Sequence, residues 1–207
     1  MTFARSFANK IPTNKVIILG SQGVGKSSLI KSFLYEIFDD SYQPTVGIEF
    51  VTTTMHSSQR YVRLQMWDTA GQERFYSILP SYVRDSILTI IVYDITNPLS
   101  FRQASRWIDV IRAEEHREVK IMLVGNKTDI CEERQITTDE GERTSKAKNV
   151  MFIETSAKTR SNVKQMFELA TQTLIEQQIK MEIKKPELKV VESPTGWQCH
   201  ACCKRLF

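Results

Sequence analysis

Short apolar runs alternate along this chain with segments in which apolar residues recur at helical spacing. Ile87 to Tyr93 and Ile121 to Val124 are dominated by apolar and β-branched residues, which is typical of buried parallel strands. Apolar residues recur every three or four positions from Ser100 to Ile111 and from Val163 to about Lys180. That spacing predicts two helices, each with one face packed on a core.

The remaining pattern completes the alternation of strands and helices. From Glu49 to Trp67, apolar and polar residues alternate, so we predict two strands joined near His56 to Gln59. The further predicted elements are strands at Val16–Leu19 and Met151–Ile153, helices at Ser27–Tyr35 and Thr138–Asn149, and a turn-rich segment at Asp39–Gly47. Strands that alternate with helices predict an α/β fold, a mostly parallel sheet with helices on both faces.

Composition narrows the class of protein. The 207 residues are 41% hydrophobic and 25% charged, and the net charge of +4 is too small and too dispersed to indicate nucleic-acid binding. The apolar run Ile87 to Val92 is far shorter than a membrane span. Met1 to Asn14 contains no continuous apolar stretch, and Thr2 stands where N-myristoylation needs glycine. We therefore expect neither a secretory signal nor a myristoyl anchor.

The cysteines and the tail suggest the compartment and the domain limits. Three of the four cysteines lie in the last nine residues, which is no disulfide framework, so a cytosolic protein is expected. After Lys180 the chain becomes loose and polar and contains Lys184-Lys185-Pro186. We predict an N-terminal extension at 1–14, one domain at 15–180 and a flexible tail at 181–207.

The strongest chemical motif lies between the first strand and the first helix. Gly20 to Ser27 reads G-S-Q-G-V-G-K-S, a glycine-rich loop that matches G-x-x-x-x-G-K-[ST]. Its glycines let backbone N–H groups surround a phosphate, and the helix N-terminus adds positive potential there. Lys26 would reach the β- and γ-phosphates, and the Ser27 hydroxyl would ligate Mg²⁺.

A second motif, W-D-T-A-G-Q-E-R-F, begins at Trp67. Asp68 comes at the end of a predicted strand, where an acidic residue in a phosphate-loop protein holds Mg²⁺. Gln72 would orient an attacking water, and Gly71 can bring a backbone N–H to the γ-phosphate. Alone, Asp68 would be read as a turn residue at a strand end. Beside the phosphate loop, it predicts a metal ligand.

Two further motifs concern the base. Asn126-Lys127-Thr128-Asp129 directly follows a buried strand, and the Asp129 carboxylate can accept from the two N–H donors on the Watson–Crick edge of guanine. Adenine lacks that donor pair, so the motif predicts guanine selectivity. Glu154 to Lys158, E-T-S-A-K, follows the last strand and can close over the base with backbone N–H groups. Phe38 would pack either on the purine edge or in the core.

These four motifs in this order resemble those of Ras-superfamily small GTPases, and the resemblance covers about Lys15 to Lys180. Val46 to Phe50, V-G-I-E-F, resembles the first switch of the Rab family. Trp67, Gln72 to Phe75 and Tyr82 resemble its second switch. The resemblance implies a P-loop GTPase fold with a six-stranded, mostly parallel sheet and one antiparallel strand.

Longer stretches look like the Golgi-associated Rab-six subfamily. They are Pro80 to Ser86, Ile121 to Asp129 and Asn149 to Lys158, and Gln22 in the phosphate loop fits as well. Because the Gln22 side chain would come close to the working position of Gln72, we expect slower intrinsic turnover.

The resemblance also implies a full set of site residues. The phosphates would be bound by Gln22, Gly23, Val24, Gly25, Lys26, Ser27, Ser28, Tyr42, Thr45 and Gly71, and the base by Phe38, Asn126, Lys127, Asp129, Ser156, Ala157 and Lys158. Mg²⁺ would be held by Ser27, Thr45 and Asp68. Effectors would read Ile48, Phe50, Trp67, Phe75 and Tyr82, although Phe50, Trp67 and Tyr82 could equally be core aromatics.

The tail carries two readings. By resemblance, Cys202 and Cys203 would be geranylgeranylated, although four residues, Lys204 to Phe207, follow them. Two prenyl chains give stable anchoring where one is marginal. The alternative is a small metal site, because Cys199 to Cys202 forms C-x-x-C. It lacks a second ligand pair, so lipidation is the favoured interpretation.

Together these features predict a monomeric GTP-hydrolysing switch that regulates vesicle trafficking and recruits effectors in its Mg-GTP state. No arginine is identified that would act in cis, so hydrolysis should be slow without an activating protein. Other expected partners are an exchange factor, a GDP-dissociation inhibitor or escort protein, and effectors such as coiled-coil tethers or motor adaptors. The protein would cycle between the cytosol and the cytoplasmic face of Golgi or related vesicle membranes.

Two other classes remain open at this stage. A binding scaffold would hold GTP without hydrolysing it, which intact Gln72, Thr45 and Gly71 argue against. A P-loop ATPase or small-molecule kinase would prefer adenine and carry a substrate-binding lid. Neither property fits Asp129 or the short connections between the predicted elements.

Overall fold

The computed structural model describes residues 11–41, 44–45, 47–69, 83–114 and 119–184. Within them, six strands form one sheet in the order β2-β3-β1-β4-β5-β6. The strands are β1 (Thr13–Gly20), β2 (Ile48–Ser57), β3 (Arg60–Thr69), β4 (Leu88–Asp94), β5 (Lys120–Asn126) and β6 (Met151–Glu154). Only the β2–β3 hairpin pairs antiparallel. The predicted six-stranded, mostly parallel α/β sheet is confirmed.

Four α-helices in the described residues cover both faces of the sheet. They are α1 (Lys26–Tyr35), α2 (Pro98–Glu114), α3 (Thr138–Lys148) and α4 (Val163–Lys184). Helices α1 and α4 pack in one apolar cluster with residues of β1, β3 and β4 such as Leu64 and Ile90. On the other face, α2 packs on Ile17, Ile91 and Leu123.

The burial of each strand follows its place in the sheet. All seven residues of β4, a central strand, are buried, as its unbroken apolar run predicts. In β3 the residues Val62, Leu64 and Met66 are buried and alternate with exposed or half-buried neighbours. The alternation therefore reports a strand with one face on the core.

Several boundaries differ from the prediction because capping and pairing extend the elements. β1 begins at Thr13, which pairs with Arg63, so the strand reaches into the predicted extension. β3 continues through Asp68 to Thr69, whose hydroxyl donates to the Ile18 carbonyl at 2.9 Å. The sheet thus includes Asp68 as a strand residue.

The helices also extend beyond their predicted limits. α2 begins at Pro98, and the Asn97 side chain accepts from the Leu99 and Ser100 N–H groups, at 3.0 and 3.3 Å. That is an N-cap followed by proline at the first helical position. α4 runs to Lys184, so residues 181–184, predicted as the start of the tail, are helical. The rest of the predicted tail, 185–207, lies outside the described residues.

The order of the strands in the sheet indicates where a ligand would bind. β1 pairs with β3 on one side and β4 on the other, so the chain order changes direction at β1. Ligands of open α/β sheets bind beyond the carboxyl ends of the strands at such a point. None of the described helices is long and apolar enough to cross a membrane.

Candidate nucleotide-binding site

A cavity of about 360 Å³ opens at the carboxyl ends of β1 and β5. Its walls include most of the described residues predicted to bind phosphate or base: Gln22, Gly23, Gly25, Lys26, Ser27, Ser28, Phe38, Thr45, Asn126, Lys127, Asp129, Ala157 and Lys158. The structure therefore brings together motifs that lie more than a hundred residues apart in sequence.

The phosphate loop joins β1 to α1 and needs glycine at its last turn. Gly25 has φ 97° and directly precedes α1, and its carbonyl accepts the first helical bond from the Leu29 N–H at 2.9 Å. A methyl group at Gly25 would overlap the side-chain amide of Asn126. Glycine here thus satisfies both a left-handed backbone and a close approach from the base-binding loop.

Lys26 is buried at the end of the phosphate loop, where α1 begins. Its Nζ donates to the carbonyls of Gly20 and Ser21, at 2.9 and 3.0 Å. Burial lowers the pKa of Lys26 to about 8, and the nearby charge of Asp68 partly opposes that shift. A group with that pKa is mostly protonated at pH 7, so Lys26 places a positive charge beside the N-terminus of α1.

Three oxygen-bearing side chains from separate segments meet next to Lys26. The Ser27 hydroxyl donates to Oδ2 of Asp68, and the hydroxyls of Ser27 and Thr45 lie 2.8 Å apart. Burial raises the pKa of the Asp68 carboxyl, while Ser27 and Lys26 act in the opposite direction. The predicted metal ligands are therefore adjacent, with one carboxylate among them.

These oxygens suit a hard divalent cation. Among the described residues, the buried Oδ1 of Asp68 has no hydrogen-bond partner, and a buried carboxylate oxygen without a partner is costly unless a cation satisfies it. Mg²⁺ prefers one or two carboxylate or hydroxyl ligands and keeps several waters. Ser27, Thr45 and Asp68 fit that requirement. Elsewhere in the described ranges, no group of three or more His, Cys, Asp or Glu side chains could hold a metal.

Asn126 connects the phosphate loop with both base-binding loops. Its Nδ2 donates to the Val24 carbonyl at 2.9 Å. Its Oδ1 accepts from the Thr155 hydroxyl and from the Ala157 N–H, both at 3.2 Å. The Ala157 N–H, which was predicted to face the base, is thus used by Asn126. Val24 itself is buried, and it contributes to the site through the carbonyl that accepts from Asn126.

Asp129 is oriented by a neighbour. Oδ1 of Asp129 accepts from the Ser156 hydroxyl at 2.5 Å, and the Ser156 oxygen accepts from the Thr159 N–H at 3.0 Å. Ser156 is fully buried and does not line the cavity. Ser156 therefore holds the Asp129 carboxylate in place, and its predicted contact with the base stays a prediction.

Asp94 is a functional residue that none of the sequence motifs includes. Its Oδ2 lies 2.6 Å from Nζ of Lys127, and Asp94 is buried. Lys127 has φ 72°, so this ion pair holds a residue in a left-handed conformation that is uncommon for a non-glycine. A carboxylate at the end of β4, on the same sheet edge as the other motifs, was the available signal.

Phe38 satisfies both alternatives that the sequence left open. It is half-buried, packs against the core cluster of α1 and α4, and lines the cavity. Nζ of Lys158 lies 5.9 Å from the centre of its ring. The ring therefore forms part of the wall at the base end.

The predicted effector surface is described in part. Phe50 is 62% exposed and lies across the strand pair from Trp67, with ring centres 6.0 Å apart. Because Phe50 is exposed, it is not a core aromatic. Ile48 and Trp67 are half-buried. Tyr42, Gly71, Gln72, Phe75, Tyr82, Cys202 and Cys203 lie outside the described residues.

Comparison with known families agrees with this geometry. The family model described as "Ras family" matches residues 15–176. The chain therefore belongs to the Ras family. It is a GTP-binding small GTPase, a class of switch whose members generally use Mg²⁺ with GTP or GDP and act with regulators and effectors. The ATPase and kinase interpretations are set aside on this ground.

Proposed function

We propose that this chain is a Rab-type GTPase that hydrolyses GTP and regulates vesicle trafficking at the Golgi. The meeting of Ser27, Thr45 and Asp68 beside Lys26 carries the GTP-hydrolysing part of the proposal. This arrangement joins the switch residue Thr45 to the phosphate loop. The stretches that resemble the Golgi-associated Rab-six subfamily support the Rab and Golgi part.

Each part of the site has a defined task in this proposal. Lys26 and the loop N–H groups bind the phosphates, and Asp129 accepts from guanine while Ser156 holds it in orientation. Ser27, Thr45 and Asp68 would hold Mg²⁺, which would neutralise phosphate charge there. Gln72 orients the attacking water, and Gly71 donates its N–H to the γ-phosphate.

The switch works through Thr45 and Gly71. In this proposal Thr45, whose hydroxyl lies beside that of Ser27, and Gly71 sense the γ-phosphate, so that the segments containing them are ordered in the GTP state and released after hydrolysis. Phe50 and Trp67 then present an aromatic pair to an effector, together with Ile48, Phe75 and Tyr82. The exposure of Phe50 supports this role, since a large exposed aromatic next to another is unusual unless it binds a partner.

Hydrolysis is the first property to test. Gln72→Leu should bind GTP with unchanged affinity but hydrolyse it far more slowly, because the leucine side chain cannot orient water. Single-turnover release of phosphate measures the rate, and a parallel GTP titration confirms binding. Undiminished hydrolysis by the variant would remove Gln72 from its role. No hydrolysis by the wild type, even with an activating protein, would favour a GTP-binding scaffold.

Membrane attachment is the second property. In cells, the doubly substituted Cys202→Ser, Cys203→Ser protein should move from the membrane to the soluble fraction, because both prenyl chains are lost. Cys199→Ser is the matched control and should stay on membranes. If Cys199→Ser behaved like the double variant and the tail bound zinc, the metal-site interpretation would replace lipidation. Co-localisation of the wild type with a Golgi marker tests the proposed membrane.

A further inference from the structure

Two loops at the base end of the cavity are joined by ion pairs that the sequence motifs do not include. Arg160 Nη2 lies 2.8 Å from Glu36 Oε1, and Lys158 Nζ lies 3.4 Å from Asp40 Oδ1. Glu36 is the C-cap residue directly after α1, and Arg160 follows the E-T-S-A-K motif. The two pairs connect residues more than a hundred positions apart.

These loops form opposite walls of the cavity. Ile37, Phe38 and Asp40 line one wall, and Ala157 and Lys158 line the other. The pair between Lys158 and Asp40 therefore joins two residues that line the cavity, and Glu36 directly precedes the lining residue Ile37.

Both residues of the shorter pair have left-handed backbones. Glu36 has φ 59° and Arg160 has φ 67°, a conformation that residues with a Cβ rarely adopt. The Arg160 loop is held by its own hydrogen bonds: Val163 N–H to the Arg160 carbonyl at 3.3 Å, and Ser156 N–H to the Ser161 carbonyl at 3.0 Å. The guanidinium is thus presented from a fixed loop, with less ordering cost when it pairs.

We propose that Glu36 and Arg160 are positioning residues that slow the release of bound guanine nucleotide by holding the two walls together. They touch neither base nor phosphate in this role and act through Phe38 and Lys158. The proposal rests on nucleotide binding at the site described above. It adds a determinant of nucleotide lifetime that is separate from the binding motifs.

The expected size of the effect follows from exposure. The side chains of Arg160 and Glu36 are 48% and 68% exposed, and exposed ion pairs are weak and screened by salt. Breaking the pair should therefore accelerate release by about two- to fivefold at low ionic strength. At high ionic strength the wild type and the variant should converge.

The test measures dissociation of a fluorescent GDP from full-length protein. Glu36→Gln and Arg160→Gly should each release it faster at low salt, and glycine suits the left-handed backbone at position 160. The charge-reversed variant Glu36→Arg should be faster still, and Glu36→Arg with Arg160→Glu should recover most of the wild-type rate. Lys146→Gln is the matched control, because it breaks an exposed ion pair with Glu142 on α3.

Further readouts separate positioning from general damage. The variants should keep the single-turnover hydrolysis rate of bound GTP, which a distorted site would lose. Equal dissociation rates for wild type, Glu36→Gln and Arg160→Gly at low salt would overturn the proposal. So would failure of the double reversal to recover the rate. A wild type that bound no GDP would instead refute nucleotide binding, so the two failures are distinct.

Discussion

The phosphate end and the base end of the cavity hold their polar groups in different ways. At the phosphate end, Lys26 and Asp68 are both buried. The pKa of Lys26 is lowered and the pKa of Asp68 is raised, so both shifts favour the neutral form of the side chain. In the part of the chain that the structure describes, Oδ1 of Asp68 has no hydrogen-bond partner. This end is a set of buried charges that gains most from the opposite charges of phosphate and a divalent cation.

At the base end, the polar side chains already hydrogen-bond to other groups of the protein. The Asn126 side chain makes three hydrogen bonds that connect the phosphate loop with the loop after β6. Asp129 is half-buried and already oriented by Ser156. The comparison indicates a division of labour, in which the phosphate end provides affinity through charge and the base end provides selectivity through a preorganised acceptor.

The largest effect is expected where the two ends meet, at Gly25. Gly25→Ala adds a methyl group that overlaps the Asn126 amide and also strains a backbone at φ 97°. We expect the free energy of unfolding to fall by about 3 kcal/mol or more, because left-handed strain and a broken buried hydrogen bond act together. Thermal unfolding and GDP titration measure it.

Gly23→Ala is the matched control for that change. Gly23 has φ 75°, but apart from its own chain neighbours no atom of the described residues lies within 4 Å of the added methyl group. Its unfolding free energy should therefore fall by only the backbone cost, roughly 1–2 kcal/mol. Equal losses in the two variants would contradict a junction between loop and base-binding residues at Gly25.

The next largest effect should appear at the base end. Asp129→Asn replaces an acceptor-only group by an amide, so guanine loses a charge-assisted pair of bonds while xanthine gains a donor. GTP affinity should fall by about ten- to a hundredfold, and xanthosine triphosphate should become the better ligand. A nucleotide competition assay measures both. Asp109→Asn, at an exposed carboxylate paired with Lys148, should change neither affinity.

A smaller effect should appear at the phosphate end. Ser27→Asn alters a metal ligand and leaves Lys26 in place, so the preference for GTP over GDP should fall by roughly tenfold. Titration of both nucleotides with and without Mg²⁺ tests this. Ser32→Ala removes a buried hydroxyl of α1 that has no hydrogen-bond partner, and it should leave the preference unchanged. A Ser27→Asn variant that still recruits effector with GTP would disprove the metal role.

The two ends also differ in how far sequence could describe them. The strands, the phosphate loop and Asp129 were predictable because local patterns specify them: an apolar run, glycine spacing and an acidic residue after a strand. Asp68 was expected after β3 but lies within it, since pairing of β3 with β1 and β2 extends the strand.

The partners that complete the site were not predictable in this way. Asp94, Ser156, Glu36 and Arg160 act through contacts that depend on the assembled sheet and on loop conformation, and of these four residues the motifs named only Ser156. Charged residues in loops carry no periodic signal, and each is ordinarily a solvated surface group. Helix ends were also not predicted by the pattern: Asn97 caps α2 three positions before the first predicted residue, and α4 continues beyond its apolar repeat.

The most direct test of the account is a competition titration on the wild-type protein. Fluorescent GDP bound to the full chain with Mg²⁺ is displaced by increasing GTP or ATP. The account predicts displacement by GTP at concentrations at least a hundredfold lower than by ATP, since only guanine offers two donors to Asp129. Displacement by ATP as readily as by GTP would contradict it.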